Sequence, residues 1–363
     1  WCPWQPEGSR KVDLGYYKQL ALAYDQLGYT GALFATGAHD VWVLAGALLS
    51  YTERLKLLVA IHPGLIAPTL LAKMAATLQE FSRGRLLINV VSGDAKMLGA
   101  YGMTMPHDER YDMADEYLQI WHRLFAGETV DFKGRHFQTE GAKLALPVGQ
   151  GIEPPPLWFG GSSDKAIDVA AKHVETYLSW GETPDQIGAK VDLVKARAEK
   201  LGRELEYGIR LYVIVRDTDE EAWAAAADLY GRMDAAAIAA NQRFVGKTDS
   251  VGQQRMTAMH GGQKPENLRD LEIAPNLWAG IGLVRPGPGT AIVGSPDTVI
   301  RTLEAYKKAG VNTFILSGMP LLEEAFRFGE KVLPRLDVSR EVSAAKQFTW
   351  STLFDRDLSA KAS

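Results

Sequence analysis

A chain of 363 residues with 46% apolar and 23% charged side chains can bury a large core, and although its length suggests two domains, a (β/α)8 barrel with insertions reaches this size as one unit. The 40 Lys and Arg against 44 Asp and Glu leave a net charge of −4 without basic blocks, so neither nucleic acid nor an anionic membrane is expected as a partner. Cys2 is the single cysteine, which excludes an internal disulfide. With no leader pattern and no apolar run of about 18 residues, the cytoplasm is the expected location.

Apolar or β-branched runs alternate with amphipathic stretches through most of the chain, the pattern of βα units on a parallel sheet. A very short run at 1–4 reads as a truncated first strand. Helix 14–27, strand 31–35, helix 41–51, strand 55–61, helix 68–81, strand 85–91 and helix 109–125 follow. The rhythm then breaks at 129–144, which reads as a hairpin around Lys133 and Gly134. Strand 156–159, helix 164–173, strand 176–179, helix 184–201, strand 207–215 and helix 220–240 resume it. The segment 245–292 is long, polar and rich in Gly and Pro, and reads as a lid with few ways to pack by itself. Strand 313–317 completes a set of eight, which suits a closed barrel. The expected organisation is one α/β domain over 1–337 with a tail at 338–363.

The run from Pro156 to Phe159 ends in Gly160, Gly161, Ser162, Ser163 and Asp164 ahead of a helical pattern. The glycines let the backbone turn tightly and approach a ligand, the serines offer donors, and the helix aims its first N–H groups at the same point, so a phosphate fits there. The alternative is a plain strand-to-helix turn with Ser163 or Asp164 as N-cap. Other signatures fail. Gly246-Lys247-Thr248 has Asn241 where a phosphate-binding P-loop needs glycine. Gly287-Pro288-Gly289 lacks the third glycine of a dinucleotide fingerprint. The histidines lack metal-ligand spacing, so no metal is expected. No Gly-x-Ser-x-Gly elbow is present.

In a (β/α)8 barrel the chemistry sits where strands end. Those ends carry His39, His62, Ser92 to Asp94, Gly160 to Ser163, Trp180 to Glu182, Arg210 with Tyr212, and Ser317 to Met319. Trp180 offers an apolar wall or is a core aromatic. Arg210 offers a rigid fork for an oxyanion or makes a buried salt bridge.

At these residues the chain resembles a family. Glu109-Arg110-Tyr111, Gly160-Gly161-Ser162-Ser163-Asp164, Ser179-Trp180-Gly181-Glu182, Gly208-Ile209-Arg210-Leu211, Asp249-Ser250-Val251-Gly252-Gln253-Gln254-Arg255-Met256 and Pro275-Asn276-Leu277-Trp278-Ala279-Gly280 are similar to strings of the flavin-dependent alkanesulfonate monooxygenases of the bacterial luciferase-like superfamily. The resemblance runs from about Glu7 to Asp337. It implies a luciferase-like (β/α)8 barrel with hairpin and lid insertions. It also implies a two-component enzyme: a separate NAD(P)H-dependent flavin reductase delivers reduced FMN, which with O2 cleaves the C–S bond of a sulfonate to give an aldehyde and sulfite. Carried over by motif, Tyr111, Gly161, Ser162, Ser163 and Ser92 hold FMN through its phosphate. Trp180, Arg210 and Tyr212, with Arg285 from the lid, form the catalytic and sulfonate pocket, and a homo-oligomer, dimer or tetramer, is expected.

The departures concentrate in that pocket. Tyr212 stands where the family carries histidine, Met319-Pro320-Leu321 replaces Tyr-Pro-His, a Cys-containing loop is shortened to Ala38-His39-Asp40, and His62 replaces an arginine. His39, His62 and Met319 therefore join the substrate-binding set, and a sugar sulfonate such as sulfoquinovose stands beside a linear alkanesulfonate as substrate. A flavin-binding protein without oxygenase activity and a deazaflavin-dependent oxidoreductase are the competing readings.

Overall fold

The structure, a computed structural model, describes residues 10–146 and 153–338. In chain order its elements are α1 (Leu14–Leu27), β1 (Gly31–Phe34), α2 (Val41–Leu49), β2 (Lys56–Ile61), α3 (Pro68–Ser82), β3 (Leu86–Val90), α4 (Ala95–Ala100) and α5 (His107–Phe125). Next come β4 (Val130–Lys133), β5 (Gln138–Ala142), β6 (Leu157–Gly160), α6 (Asp164–His173), β7 (Thr176–Trp180), α7 (Pro184–Glu199) and β8 (Glu206–Val215). The chain then runs through α8 (Asp219–Gly231), α9 (Ala235–Val245), α10 (Val251–His260), β9 (Glu272–Ala274), β10 (Leu277–Trp278), β11 (Ala291–Gly294), α11 (Pro296–Lys308), β12 (Thr313–Ser317) and α12 (Leu321–Lys331).

Parallel neighbours run β1-β2-β3-β6-β7-β8, and β8 then carries β12 along Gly208 to Tyr212 and β11 along Tyr212 to Val215. The two ends of this path lie together. Tyr29, just before β1, donates its hydroxyl to the Ala325 carbonyl at 2.7 Å and stacks on Phe328 of α12 with ring centroids 6.2 Å apart. This is the expected α/β barrel architecture. The strand expected at 1–4 and the tail beyond Val338 lie outside the described residues.

Alternation along β8 separates two environments, as the two-residue period of a strand requires. Ile209, Leu211, Val213 and Val215 enter the main apolar cluster with the surrounding helices, each such burial being worth about 1.5–3 kcal/mol. Gly208, Arg210 and Tyr212 occupy the other face, and the register sets Trp180 beside Arg210 and Leu178 beside Gly208. A Cβ at 208 would lie 2.5 Å from the end of the Leu178 side chain, which would have to shift to admit it.

The hairpin forms as β4 and β5, antiparallel. Its turn is held by Glu116 of α5, whose carboxylate accepts from the backbone of Arg135, His136 and Phe137 at 2.7, 2.8 and 3.1 Å. Three expectations need correction. The helix expected over 220–240 is two helices, because Asp234 caps a new N-terminus by accepting from Ala237 N at 2.7 Å. Helices α11 and α12 lie beyond the helices expected from the pattern. The segment 245–292 has its own packing: α10, β9 and β10 precede β11, a strand of the sheet, and Leu271, Trp278, Ile281 and Leu283 join Tyr212, Ile214 and Trp223 in a second apolar cluster. Its glycines serve close packing. Gly282 N donates to Gly289 O at 3.2 Å, and a side chain on either glycine would collide with a neighbour. Among the described residues no helix is long and apolar enough to cross a membrane.

Candidate functional site

The first half of the site is built where β6 gives way to α6. Ser163 is the N-cap, its Oγ accepting from Ala166 N at 3.3 Å. Gly161 packs so tightly on Ala166 that a Cβ would collide with it, and that added Cβ would also lie 3.7 Å from the Tyr111 hydroxyl. Tyr177 donates its hydroxyl to the Gly161 carbonyl and so fixes the turn. From α5, Tyr111 comes in 5% exposed and packs edge-on against Phe159 with centroids 6.3 Å apart. Ser92, just after β3, donates to the Tyr111 hydroxyl oxygen at 3.2 Å.

The hydrogen-bond directions here share one property. Ser163 Oγ accepts from a backbone amide, Ser162 Oγ accepts from the Lys190 ammonium at 3.2 Å, and Tyr111 Oη accepts from Ser92. Each hydroxyl has one proton, and none of the three protons has an acceptor among the described residues. A group of donors beside the first N–H groups of a helix favours an anion. Sequence-expected Tyr111, Gly161, Ser162, Ser163 and Ser92 are thus brought together.

The second half lies at the end of β7 and, instead of the strand end expected from the sequence, in the middle of β8. Trp180 and Arg210 are register partners, and Gly181 N donates to the Arg210 carbonyl at 3.0 Å. Gly181 has φ +21° and its carbonyl accepts from Thr290 Oγ1 at 2.6 Å; a Cβ at this position would lie 2.6 Å from that hydroxyl. Arg285 arrives on a loop pinched at its base by Gly282 and Gly289. Asn241 Nδ2 donates to the carbonyls of Gly282 and Leu283, both at 3.1 Å, and Gly287 N donates to Gln253 Oε1 at 2.7 Å. This loop sets the Arg285 guanidinium 5.2 Å from the Tyr212 ring centroid.

The guanidiniums of Arg210 and Arg285 have no hydrogen-bond or ion-pair partner among the described residues. Burial pulls Arg210 down to about 10, with the nearby charge of Arg285 acting in the same direction, and burial also lowers Arg285. Both stay protonated near neutrality. Two half-buried cations facing each other without a counter-anion are costly, and an anionic ligand relieves that cost. The Tyr212 hydroxyl is also buried and unpartnered. Met319 packs against the cluster that contains Tyr212.

His62 and His39 sit further along the strand ends. His62, half-buried, has Nε2 2.8 Å from Thr36 Oγ1 and Nδ1 3.1 Å from the Val91 carbonyl, and burial lowers its pKa. His39 is exposed, and its contacts among the described residues are with Tyr17, 3.3 Å from hydroxyl to Nδ1. The structure does not bring it against the arginine pair.

Behind the anion pocket lies a network that the sequence reading missed. Lys190 of α7 and Glu182 form an ion pair with both side chains 5% exposed, and Arg255 of α10 reaches the other Glu182 oxygen at 3.0 Å. A signal was available: Ile187, Lys190, Val191, Val194 and Ala198 form the buried stripe of α7, and a lysine in an apolar stripe needs a partner. Also unforeseen is Arg110, 1% exposed, bonded to Asp249 at 2.5 Å. With Thr248 Oγ1 on Asp94 Oδ2 at 2.7 Å, it ties the start of α10 to α4 and α5.

The site thus joins a glycine-serine turn after β6 to two half-buried arginines, Arg210 on β8 and Arg285 on a loop, at one end of an α/β barrel. Residues 1–313 match the family model described as luciferase-like monooxygenase, and the chain belongs to that family. Its fold is similar to a riboflavin lyase solved with modified FMN and riboflavin (TM-score 0.75, 20% identity, covering 92% of this chain and 87% of that one). It is also similar to the long-chain alkane monooxygenase LadA (TM-score 0.70, 21% identity, 90% and 84%). A third likeness is to the coenzyme F420-dependent tetrahydromethanopterin reductase from Methanopyrus kandleri (TM-score 0.64, 17% identity, 89% and 96%).

Proposed function

We propose that this protein is the oxygenase of a two-component flavin system and cleaves the C–S bond of an organosulfonate. The observation that carries the reading is the pair Arg210 and Arg285, two guanidiniums at one barrel mouth with no anionic partner among the described residues. A sulfonate is fully ionised at any physiological pH, and its oxygens suit the rigid donors of arginine. The anion pocket at Tyr111, Ser162 and Ser163 fits the phosphate of FMN, because every hydroxyl there has a proton to give and the glycine turn admits the ligand to the backbone.

Reduced FMN, when bound, supplies with O2 one oxygen atom and the electrons that reduce the other to water. The balance is sulfonate, O2 and reduced FMN giving aldehyde, sulfite, oxidised FMN, water and a proton. Within that reaction Arg210 and Arg285 hold the sulfonate, Tyr212 donates its free hydroxyl to it, and Trp180 and Met319 form the apolar wall. The loop carrying Arg285, backed by α10, keeps water from the reacting carbon. His62, neutral near pH 7, and His39 at the rim select the organic part of the substrate, and a polar sugar sulfonate such as sulfoquinovose fits this set better than an alkyl chain. The reduced flavin comes from a separate NAD(P)H-dependent reductase. A homo-oligomer is supported by α2, which has no charged residue and leaves Val43 73% exposed.

Sulfite release from a panel of sulfonates, with reduced FMN and O2, tests the reading. Sulfite from sulfoquinovose in preference to octanesulfonate is the expected result. The reverse preference overturns the sugar sulfonate alone. No sulfite from any sulfonate despite tight binding of reduced FMN returns the protein to a non-catalytic flavin binder, and turnover with coenzyme F420 instead of FMN moves it to the deazaflavin class.

A further inference from the structure

The hydrogen bonds behind Ser162 leave little freedom. An ammonium has three donors and no acceptor, and Lys190 Nζ spends all three: on Ser162 Oγ at 3.2 Å, on Ser179 Oγ at 2.9 Å and on Glu182 Oε2. Ser179 gives its own proton to Glu182 at 2.6 Å. The second oxygen of Glu182 accepts from Arg255 at 3.0 Å, and its carbonyl accepts from the Tyr306 hydroxyl at 2.7 Å. Of the buried donors Lys190, Ser179 and Tyr306 each has its acceptors, and the hydroxyl of Ser162 has none among the described residues. The oxygen of Ser162 accepts from a cation, so its proton points away from Lys190.

We propose that Lys190 is a positioning residue that holds Ser162 as a fixed donor to the flavin phosphate, and so makes the protein select the phosphorylated flavin over riboflavin. This rests on the reading of the pocket as an FMN phosphate site. A serine without such a partner is free to rotate its proton toward any neighbouring acceptor, and then offers a phosphate a lone pair as readily as a proton. Glu182 balances the lysine, while Arg255 leaves the trio Lys190, Glu182 and Arg255 with an excess of one positive charge. The charge on Arg255, 46% exposed, is screened by solvent, so the selection rests on the fixed donor, from which an ionised phosphate ester gains more than an uncharged ribityl hydroxyl does.

Dissociation constants of FMN and riboflavin, measured by fluorescence quenching for the full chain and its variants, test this. The wild type should prefer FMN. Lys190→Met should lose about tenfold in FMN affinity, the scale of a charge-assisted hydrogen bond, with riboflavin affinity kept within about twofold. Ser162→Ala combined with Lys190→Met should be no weaker than the worse single variant by more than about twofold, since both remove the same donor. If Lys190→Met does not fold because Glu182 loses its partner, Lys190→Met with Glu182→Gln carries the same expectation. Retained FMN preference in the folded lysine variants, or equal loss for FMN and riboflavin, overturns the role of Lys190 alone. A wild type that binds riboflavin as well as FMN overturns the phosphate reading of the pocket and this inference with it.

Discussion

The guanidinium of Arg285 lies over the ring of Tyr212, 5.2 Å from its centroid, and this contact joins a loop next to β11 to the same strand face that presents Arg210. The stacking stabilises a cation at the ring face and holds Arg285 within range of a second positive charge. Such an arrangement stores a preference for an anion.

Replacing either arginine with alanine removes a charge-assisted hydrogen bond worth about 1.5–3 kcal/mol to the sulfonate, so kcat/KM should fall by roughly one to two powers of ten. Arg210→Lys should not restore it, because an ammonium cannot present two donors in one plane. Thermal stability should stay level or rise in Arg210→Ala, since one of two mutually repelling buried charges is gone. A large fall in Tm with unchanged kcat/KM would contradict the ligand-binding role.

Tyr212→Phe separates function from stability. The hydroxyl is buried without a partner, and removing an unsatisfied buried polar group is neutral or stabilising by about 1–3 kcal/mol. The variant should therefore melt at or above the wild-type temperature while its kcat/KM for the sulfonate drops. A lower Tm would mean that the hydroxyl has a partner in the resting protein.

Acid should loosen the 245–292 segment through His260, 6% exposed, with Nε2 unpartnered and its pKa pushed down to about 4 by burial. The unfolded chain takes up this proton below about pH 6.5 and the folded one only near 4. The unfolded state thus binds more protons across that window, and stability falls as pH drops through it. Melting curves from pH 7 to 4 should show this slope, and His260→Gln should flatten it. Identical slopes in both proteins would assign the acid sensitivity elsewhere.

Helix α2 carries no charge and buries Ala45 and Leu48 while Val43 stays 73% exposed; on the neighbouring α3, Leu70 and Phe81 are 53% and 68% exposed. Under the proposed homo-oligomer, α2 is the expected contact. Val43→Asp should shift the species seen by analytical ultracentrifugation toward monomer without altering FMN binding. A wild type that sediments as a monomer at micromolar concentration would remove the basis for this expectation.

Strand and helix periods reported the barrel strands from β1 to β8 and β12 because each buries a face whose spacing is local to the chain, so six residues suffice to show it. The glycine-serine turn after β6 was legible for the same reason: the turn, the N-cap and the donors are consecutive. The motif resemblance carried Arg285 to the same site as Arg210, but their lack of any neutralising acid depends on every neighbour in space, and no window of sequence contains that. β11 escaped because its four residues sit in a Gly- and Pro-rich context whose close packing is visible only once Gly282 meets Gly289. Lys190, Glu182 and Arg255 lie on a strand end and two different helices, and only the closure of the barrel brings their charges within hydrogen-bond distance. Local periodicity and turn chemistry therefore determined the scaffold and the glycine-serine turn. Which charges are paired, which protons are free and which arginines wait for an anion was decided by tertiary packing, because electrostatic satisfaction is a property of all the groups around an atom.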